Sequence, residues 1–123
     1  MCEIYTAQIG RYTGIDAIDT TVKSATGWAK LLTPTWEIVK AVKSHAITEV
    51  EYTQRYYAML RGSYIRYPER FLEFLESETI TLMCYCRPGV FCHRHLLAKT
   101  VFPTLAKERG LDVVYMGERV HQR

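Results

Sequence analysis

Between Cys84 and His95 the chain reads CYCRPGVFCHRH, which gathers three of its four cysteines, two of its four histidines and two arginines. A thiolate is both a nucleophile and a soft metal ligand, a neutral imidazole accepts protons near neutral pH, and a guanidinium grips carboxylate or phosphate through a fork of donors. Three chemistries can be built from that set. Cys92 can act as a nucleophile with His93 as its base or acid, while Arg94 and Arg87 hold an anionic group. The same arginines and helix start can instead form an anion pocket with no covalent step. Or Cys84, Cys86 and Cys92 can ligate zinc together with His93 or His95.

Spacing bears on the choice. One residue between Cys84 and Cys86 is tighter than the roughly two to four usual in zinc sites. A phosphatase-type loop would need arginine at the sixth position after a strand-end cysteine, and the sixth residue after Cys86 is Cys92. Cys84 and Cys86 also suit a plain packing role, because free cysteine behaves as a small buried apolar residue. The consecutive Cys92-His93-Arg94 has no comparable packing rationale.

The elements around the loop give it a position. TITLMCY, from Thr79, is β-branched and apolar on both faces, as a central strand covered on two sides should be. If it runs on through Cys86, Leu82, Cys84 and Cys86 share one face and Met83 and Tyr85 the other. After the Arg87-Pro88-Gly89 turn a helix is expected from Cys92 to Arg109, capped by Gly110 and kinked at Pro103. Cys92, His93 and Arg94 would then occupy its first turn, where unpaired amides and the dipole favour an anion and lower a thiol's pKa. LDVVYMG supplies the next strand, so strand, crossover and strand form a right-handed βαβ unit.

Upstream, Cys2 to Ile9 alternates as a strand and Ile15 to Val22 reads as a second extended segment. Thr33-Pro34 reads as a cap and first helical residue, before a helix that buries Trp36, Val39 and Val42. Thr48 and Glu51 form a capping box for a helix running to Arg61, where Gly62 can stop it. Pro68 opens a third helix with Phe71, Leu72 and Leu75 at core spacing, and Glu69, Glu73 and Glu76 form its solvated face. The expected fold is a single compact α/β domain over residues 1–123, with a mostly parallel sheet, flanking helices and a Rossmann-like three-layer arrangement. Ligands of such sheets collect beyond the carboxyl ends of the strands. Asp19, Lys23 and Trp36 are expected to border the cleft there, with Cys84 as its supporting wall.

Composition bounds the rest. The 123 residues are 48% hydrophobic and 24% charged, the balance of an ordinary globular domain. No run is long and apolar enough for a membrane span, and the start MCEIYTAQIG lacks a signal-peptide pattern, so a cytoplasmic protein with reduced thiols is expected. The net charge of +3 does not by itself identify a nucleic-acid partner. Arg61, Tyr64 and Arg66 do lie in a stretch that interleaves bases with tyrosines, a pattern that could track a phosphate backbone while rings stack on bases. Arginine stems covering aromatic rings at a surface explain the same pattern. His45 and His121 read as surface residues.

TLMCYCRPGVFCHRHLLAKTV resembles the hallmark of the bacterial and phage family grouped as domain of unknown function 488 (DUF488). There, an apolar strand ends in cysteine and a short loop leads to a Cys-His-Arg helix start. DTTVKS, PTWEIV, EYTQRYYAMLR and the terminal YMGE extend the likeness over most of the chain. The resemblance carries the family's motif onto Cys84, Cys92, His93 and Arg94, leaves Cys86 as a bystander, and implies a compact α/β domain. It brings no settled activity. The reading is hydrolysis or group transfer on a nucleotide, nucleoside or nucleic acid, with Cys92, His93 and Arg94 catalytic and Cys84, Arg87, Asp19, Lys23 and Trp36 binding an anionic ligand. The alternatives are a non-catalytic binding module with a phage or defence role, and a zinc-binding structural domain; no cofactor is otherwise expected.

Overall fold

The computed structural model describes residues 1–120. His121 lies outside the described residues. Four strands form one all-parallel sheet in the order β2-β3-β1-β4, from β1 (Cys2–Gln8), β2 (Ala17–Asp19), β3 (Thr79–Cys84) and β4 (Val113–Arg119). Between β2 and β3 the chain passes through a 3-10 turn (Gly27–Leu32) and three helices, α1 (Trp36–Lys43), α2 (Glu49–Arg66) and α3 (Pro68–Leu75). From β3 to β4 it runs through one irregular helix made of α4 (His93–Leu96), a π-helical turn (Leu97–Val101) and α5 (Phe102–Arg109). This is the expected α/β domain, a parallel sheet with flanking helices. Among the described residues, no helix is long and apolar enough to cross a membrane.

β3 decides the layering because it is buried on both faces. Ile80 and Leu82 join Cys2 and Ile4 of β1 in a core with Tyr56, Phe71, Leu97 and Phe102. On the opposite face Thr79 and Thr81 donate hydroxyl hydrogen bonds to Asp16. The third layer is thin there, formed by the chain between β1 and β2 together with Tyr5 and Arg119, whose guanidinium lies 3.6 Å from the Tyr5 ring centre and 4.7 Å from that of Tyr12.

Several local expectations hold. Thr48 and Glu51 form the capping box of α2, Pro68 sits in the first turn of α3, and Gly110 ends α5 in a left-handed conformation (φ 68°) that favours glycine. Others shift for identifiable reasons. The extended segment read from Ile15 to Val22 narrows to the three residues of β2, the length that pairs with β3. α2 does not stop at Gly62 but continues to Arg66, because an interior glycine costs only about 1 kcal/mol and the extra turn sets Tyr64 edge-on against Phe71. Pro68 enforces the break instead. The cap of α1 is Thr35 rather than Thr33, and Trp36, at its first position, is 49% exposed while Ile38 takes the buried place. At Pro103, where a kink was expected, the helix carries a π turn. Lacking an N–H, the proline leaves the Lys99 carbonyl without its partner, and the ladder widens into the π turn just before it.

Candidate functional site

β3 ends at Cys84, two residues earlier than the sequence pattern suggested, and Tyr85-Cys86 bend away from the sheet. Beside that end lies Thr20, the first residue after β2. Its amide and hydroxyl both donate to the Met83 carbonyl, at 3.1 and 2.8 Å. Asp19 fixes the turn that follows, accepting from the Thr21 amide at 2.9 Å, the Thr21 hydroxyl at 2.7 Å and the Ser24 hydroxyl. Its carboxylate is committed to the loop, so it shapes the site rather than lining it.

Cys92 is the extended cap residue before α4 rather than a member of its first turn, and His93 is the first helical residue. The His93 ring turns inward, packed edge-on to Tyr56 with centroids 5.8 Å apart. Its Nε2 lies 2.8 Å from the Thr20 carbonyl and 2.9 Å from the Thr20 hydroxyl. A carbonyl can only accept and the hydroxyl proton is already given to Met83, so Nε2 carries the imidazole proton. Nδ1 is therefore the bare nitrogen, and it faces Cys92 Sγ at 3.8 Å. Burial pushes the imidazole's pKa down to about 4, more than the Thr20 carbonyl raises it, which keeps the ring neutral near pH 7.

Cys84, Cys92 and His93 place their ligating atoms within 4.8 Å of one another, and all three residues are buried. Cys86, half-buried, adds a third sulfur beside them. Contact with Cys86 and burial push the Cys84 thiol up, and contacts with Cys84 and Cys86 do the same for Cys92. Those neighbours, as S–H donors, hold Cys86 well below the ordinary thiol range, with Lys43 and Arg94 adding positive potential.

Arg94 is fully buried and lies behind the thiols rather than in front of them. Its Nη2 pairs with Glu118 Oε2 at 2.8 Å, and its Nη1 donates to the Cys86 carbonyl at 2.8 Å and to Cys92 Sγ at 3.6 Å. Its charge is directed at the sulfur cluster. Glu118 reaches it because of a bulge in β4: the register shifts after Tyr115 and Gly117 takes φ 113°, a conformation that favours glycine. The extra residue turns Tyr115 and Glu118 to the same side, where both meet the Thr6 hydroxyl, at 2.7 and 2.5 Å.

A cleft of about 510 Å3 opens over Cys84, Cys86, Cys92 and His93. Trp36, Tyr52, Tyr85 and Phe91 line it as aromatic walls, and Lys23, Lys43 and Glu49 are its charged residues. Of the residues singled out in the sequence, the cleft brings together Cys84, Cys86, Cys92, His93, Lys23 and Trp36, while His95 is not in its lining. Arg87 is exposed on the turn outside the cleft lining. Arg61, Tyr64 and Arg66 lie in the last turns of α2, also outside it, where the Tyr64 hydroxyl accepts from Arg109 at 2.9 and 2.6 Å. Thr20, Lys43, Tyr52 and Glu118 were not anticipated. Only Glu118 had a local signal, the YMGE segment in which glycine within a strand marks a bulge.

A model of the active DUF488-N3 subclade matches residues 11–103. The chain belongs to the DUF488-N3 family. No curated protein and no solved structure matches it. The DUF488-N3 match spans β2, the helical crossover, β3 and the Cys-His-Arg segment, and so covers every cleft residue named above. Glu118, which neutralises Arg94, lies beyond it.

Proposed function

We propose that the cleft binds a nucleotide or nucleoside and that the protein carries out hydrolysis or group transfer on it at the Cys-His floor, in a cytoplasmic, reducing setting. One observation carries the reading: a single cavity combines aromatic walls (Trp36, Tyr52, Tyr85, Phe91), two lysines (Lys23, Lys43) and a buried sulfur–imidazole floor. Flat apolar rings suit a heteroaromatic base, and lysines suit an anionic phosphate. The volume matches the range of small-molecule sites, about 300–1,000 Å3. At the floor, His93 presents a neutral proton acceptor, and the adjacent sulfurs supply soft, electron-rich atoms under the field of Arg94. The family description of an active subclade is in keeping with turnover.

Calorimetric titration with nucleosides and their mono- and diphosphates, followed by mass analysis of the incubated ligand, tests the reading. Phosphorylated ligands should bind more tightly than the parent nucleosides, and Lys23→Ala and Lys43→Ala should each weaken them about tenfold, the loss of about 1.4 kcal/mol. Ligand consumed by the wild type and untouched by Cys92→Ser or His93→Gln establishes the reaction. Binding without any product would assign the cleft to a binding module. Absence of binding across the panel would remove nucleotides from consideration.

A further inference from the structure

We infer that the floor of the cleft is a zinc-class metal centre with three protein ligands, Cys84 Sγ, Cys92 Sγ and His93 Nδ1, and a fourth position open to the cleft. The inference rests on the reading above for the cleft's ligand and deepens its floor: with an ion bound, His93 Nδ1 and the Cys92 sulfur would be ligands rather than base and nucleophile, and the ion would be the electrophile, but the metal site stands on its own geometry.

Two independent features converge on it. The first is distance. With bonds of about 2.3 Å to sulfur and about 2.0–2.1 Å to nitrogen, a tetrahedral ion sets its ligands roughly 3.6–3.8 Å apart. Cys92 Sγ and His93 Nδ1 are already 3.8 Å apart, and no pair in the group exceeds 4.8 Å. A closure of about 1 Å, within the reach of side-chain torsions, completes the site. The second feature is the tautomer. Ligating histidines donate their other ring N–H to a carbonyl or carboxylate, which fixes the ring and leaves the ligating nitrogen bare. His93 does so through Nε2 to the Thr20 carbonyl, so its Nδ1 lone pair faces the Cys92 sulfur before any ion arrives.

The surroundings suit a soft divalent ion. Two thiolates and a neutral imidazole balance a charge of two, and that donor set selects zinc over magnesium or calcium. Arg94, neutralised by Glu118, donates to Cys92 Sγ at 3.6 Å as an outer support of a ligating thiolate. The tight Cys84-x-Cys86 spacing is no obstacle, because the group that converges is Cys84, Cys92 and His93 rather than the neighbouring pair. Cys86 lies in the cleft outside that group. Three protein ligands with an open position is the arrangement of catalytic rather than structural zinc. Binding displaces the protons of Cys84 and Cys92, so uptake should release protons and weaken in acid.

Cobalt(II) titration of the metal-free protein tests this without any nucleotide. One equivalent should produce thiolate-to-cobalt charge-transfer absorption and the intense visible bands of a four-coordinate ion, and zinc should displace it. Cys84→Ser, Cys92→Ser and His93→Gln should each weaken binding at least tenfold, while Cys86→Ser retains full stoichiometry. A weak six-coordinate spectrum without charge transfer, or binding indifferent to Cys84 and Cys92, would overturn the assignment, and loss of metal in Cys86→Ser would overturn the open position. For variants that fold poorly, alkylation of the wild type decides: zinc should protect Cys84 and Cys92 and leave Cys86 reactive, and protection of Cys86 alone refutes the ligand set. Nucleotide titration of metal-free protein reads the walls separately, so failure of the metal site and failure of the ligand reading are told apart.

Discussion

Polar groups stand both behind β3 and at its carboxyl end, and the two places use them differently. Behind the strand, Asp16 is saturated: its carboxylate accepts from Tyr12 at 2.5 Å, from Thr79 at 2.7 Å and from Thr81 at 3.1 Å, and Arg119 stands 3.7 Å away. That network ties the chain between β1 and β2 onto the sheet and has little left to offer a ligand. At the carboxyl end of the same strand, the network through Thr20, His93, Arg94 and Glu118 is closed on its outer side by strong polar partners. On its cleft side the His93 Nδ1 lone pair meets the Cys92 sulfur at 3.8 Å and Arg94 donates to that sulfur at 3.6 Å, weak contacts that an ion or ligand can replace. A closed network holds a fold together, whereas one closed on its outer side and open on its inner side positions reactive atoms.

The contrast breaks most strongly at Glu118. Its removal leaves the fully buried Arg94 without a counter-charge, which should cost about 3–5 kcal/mol. That is a large share of a typical domain's stability. Denaturant unfolding of Glu118→Ala measures it, and the double replacement Arg94→Met with Glu118→Leu should lose much less. A small loss in Glu118→Ala would mean that the guanidinium is not isolated from water.

Mild acid separates the two networks. The folded His93 pKa lies near 4, below the ordinary histidine value of 6.5. Between those values the unfolded chain takes up the proton that the folded one refuses. Stability of the metal-free protein is therefore fully present above about pH 6.5, falls as the pH drops, and has lost on the order of 3 kcal/mol by about pH 4. Asp16 behaves otherwise. Burial opposes its charge, but hydrogen bonds from Tyr12, Thr79 and Thr81, with Arg119 nearby, outweigh it and hold the carboxyl below its ordinary range. Its contribution is lost only at still lower pH, as the pH falls through that depressed value. Unfolding followed against pH should lose much of the slope below pH 6.5 in His93→Gln, with a remainder from His95, whose imidazole burial and Arg94 also push down, and keep it in Asp16→Asn. Asp16→Asn itself should cost about 1–3 kcal/mol and leave ligand and metal binding unchanged.

The smallest effect concerns the end of α2. If the exposed Arg61 and Arg66 track a nucleic-acid backbone, binding should fall with salt, and replacing both with alanine should flatten the salt dependence by about two phosphate contacts. Binding indifferent to salt and to both replacements would leave the cleft as the only ligand site under test.

The outline of this molecule was legible because it depends on local patterns. The apolar run into Cys84, the Gly110 cap and the LDVVYMG strand placed the Cys-His-Arg segment at the end of a central parallel strand. The orientation within that segment was not legible. A helical repeat does not tell whether Arg94 faces an incoming anion or a carboxylate 24 residues away. That answer depends on a one-residue bulge in β4. Thr20 likewise enters the site through the pairing of β2 with β3, which sets it against His93, 73 residues away, a contact that no local pattern encodes. Cys86 moved the other way: motif comparison set it aside, while the bend after Cys84 brings its sulfur into the cleft.

The most direct test is the proton on His93. Long-range nitrogen–proton correlation spectroscopy of nitrogen-15-labelled, metal-free protein at neutral pH distinguishes the two neutral tautomers and the charged ring. A neutral imidazole protonated at Nε2, with Nδ1 bare beside Cys92, is the expected result, and it should persist down to about pH 4. A proton on Nδ1, or a ring already charged at pH 6.5, would mean that the nitrogen facing the sulfurs is not available, and the cleft floor would lose its claim to chemistry.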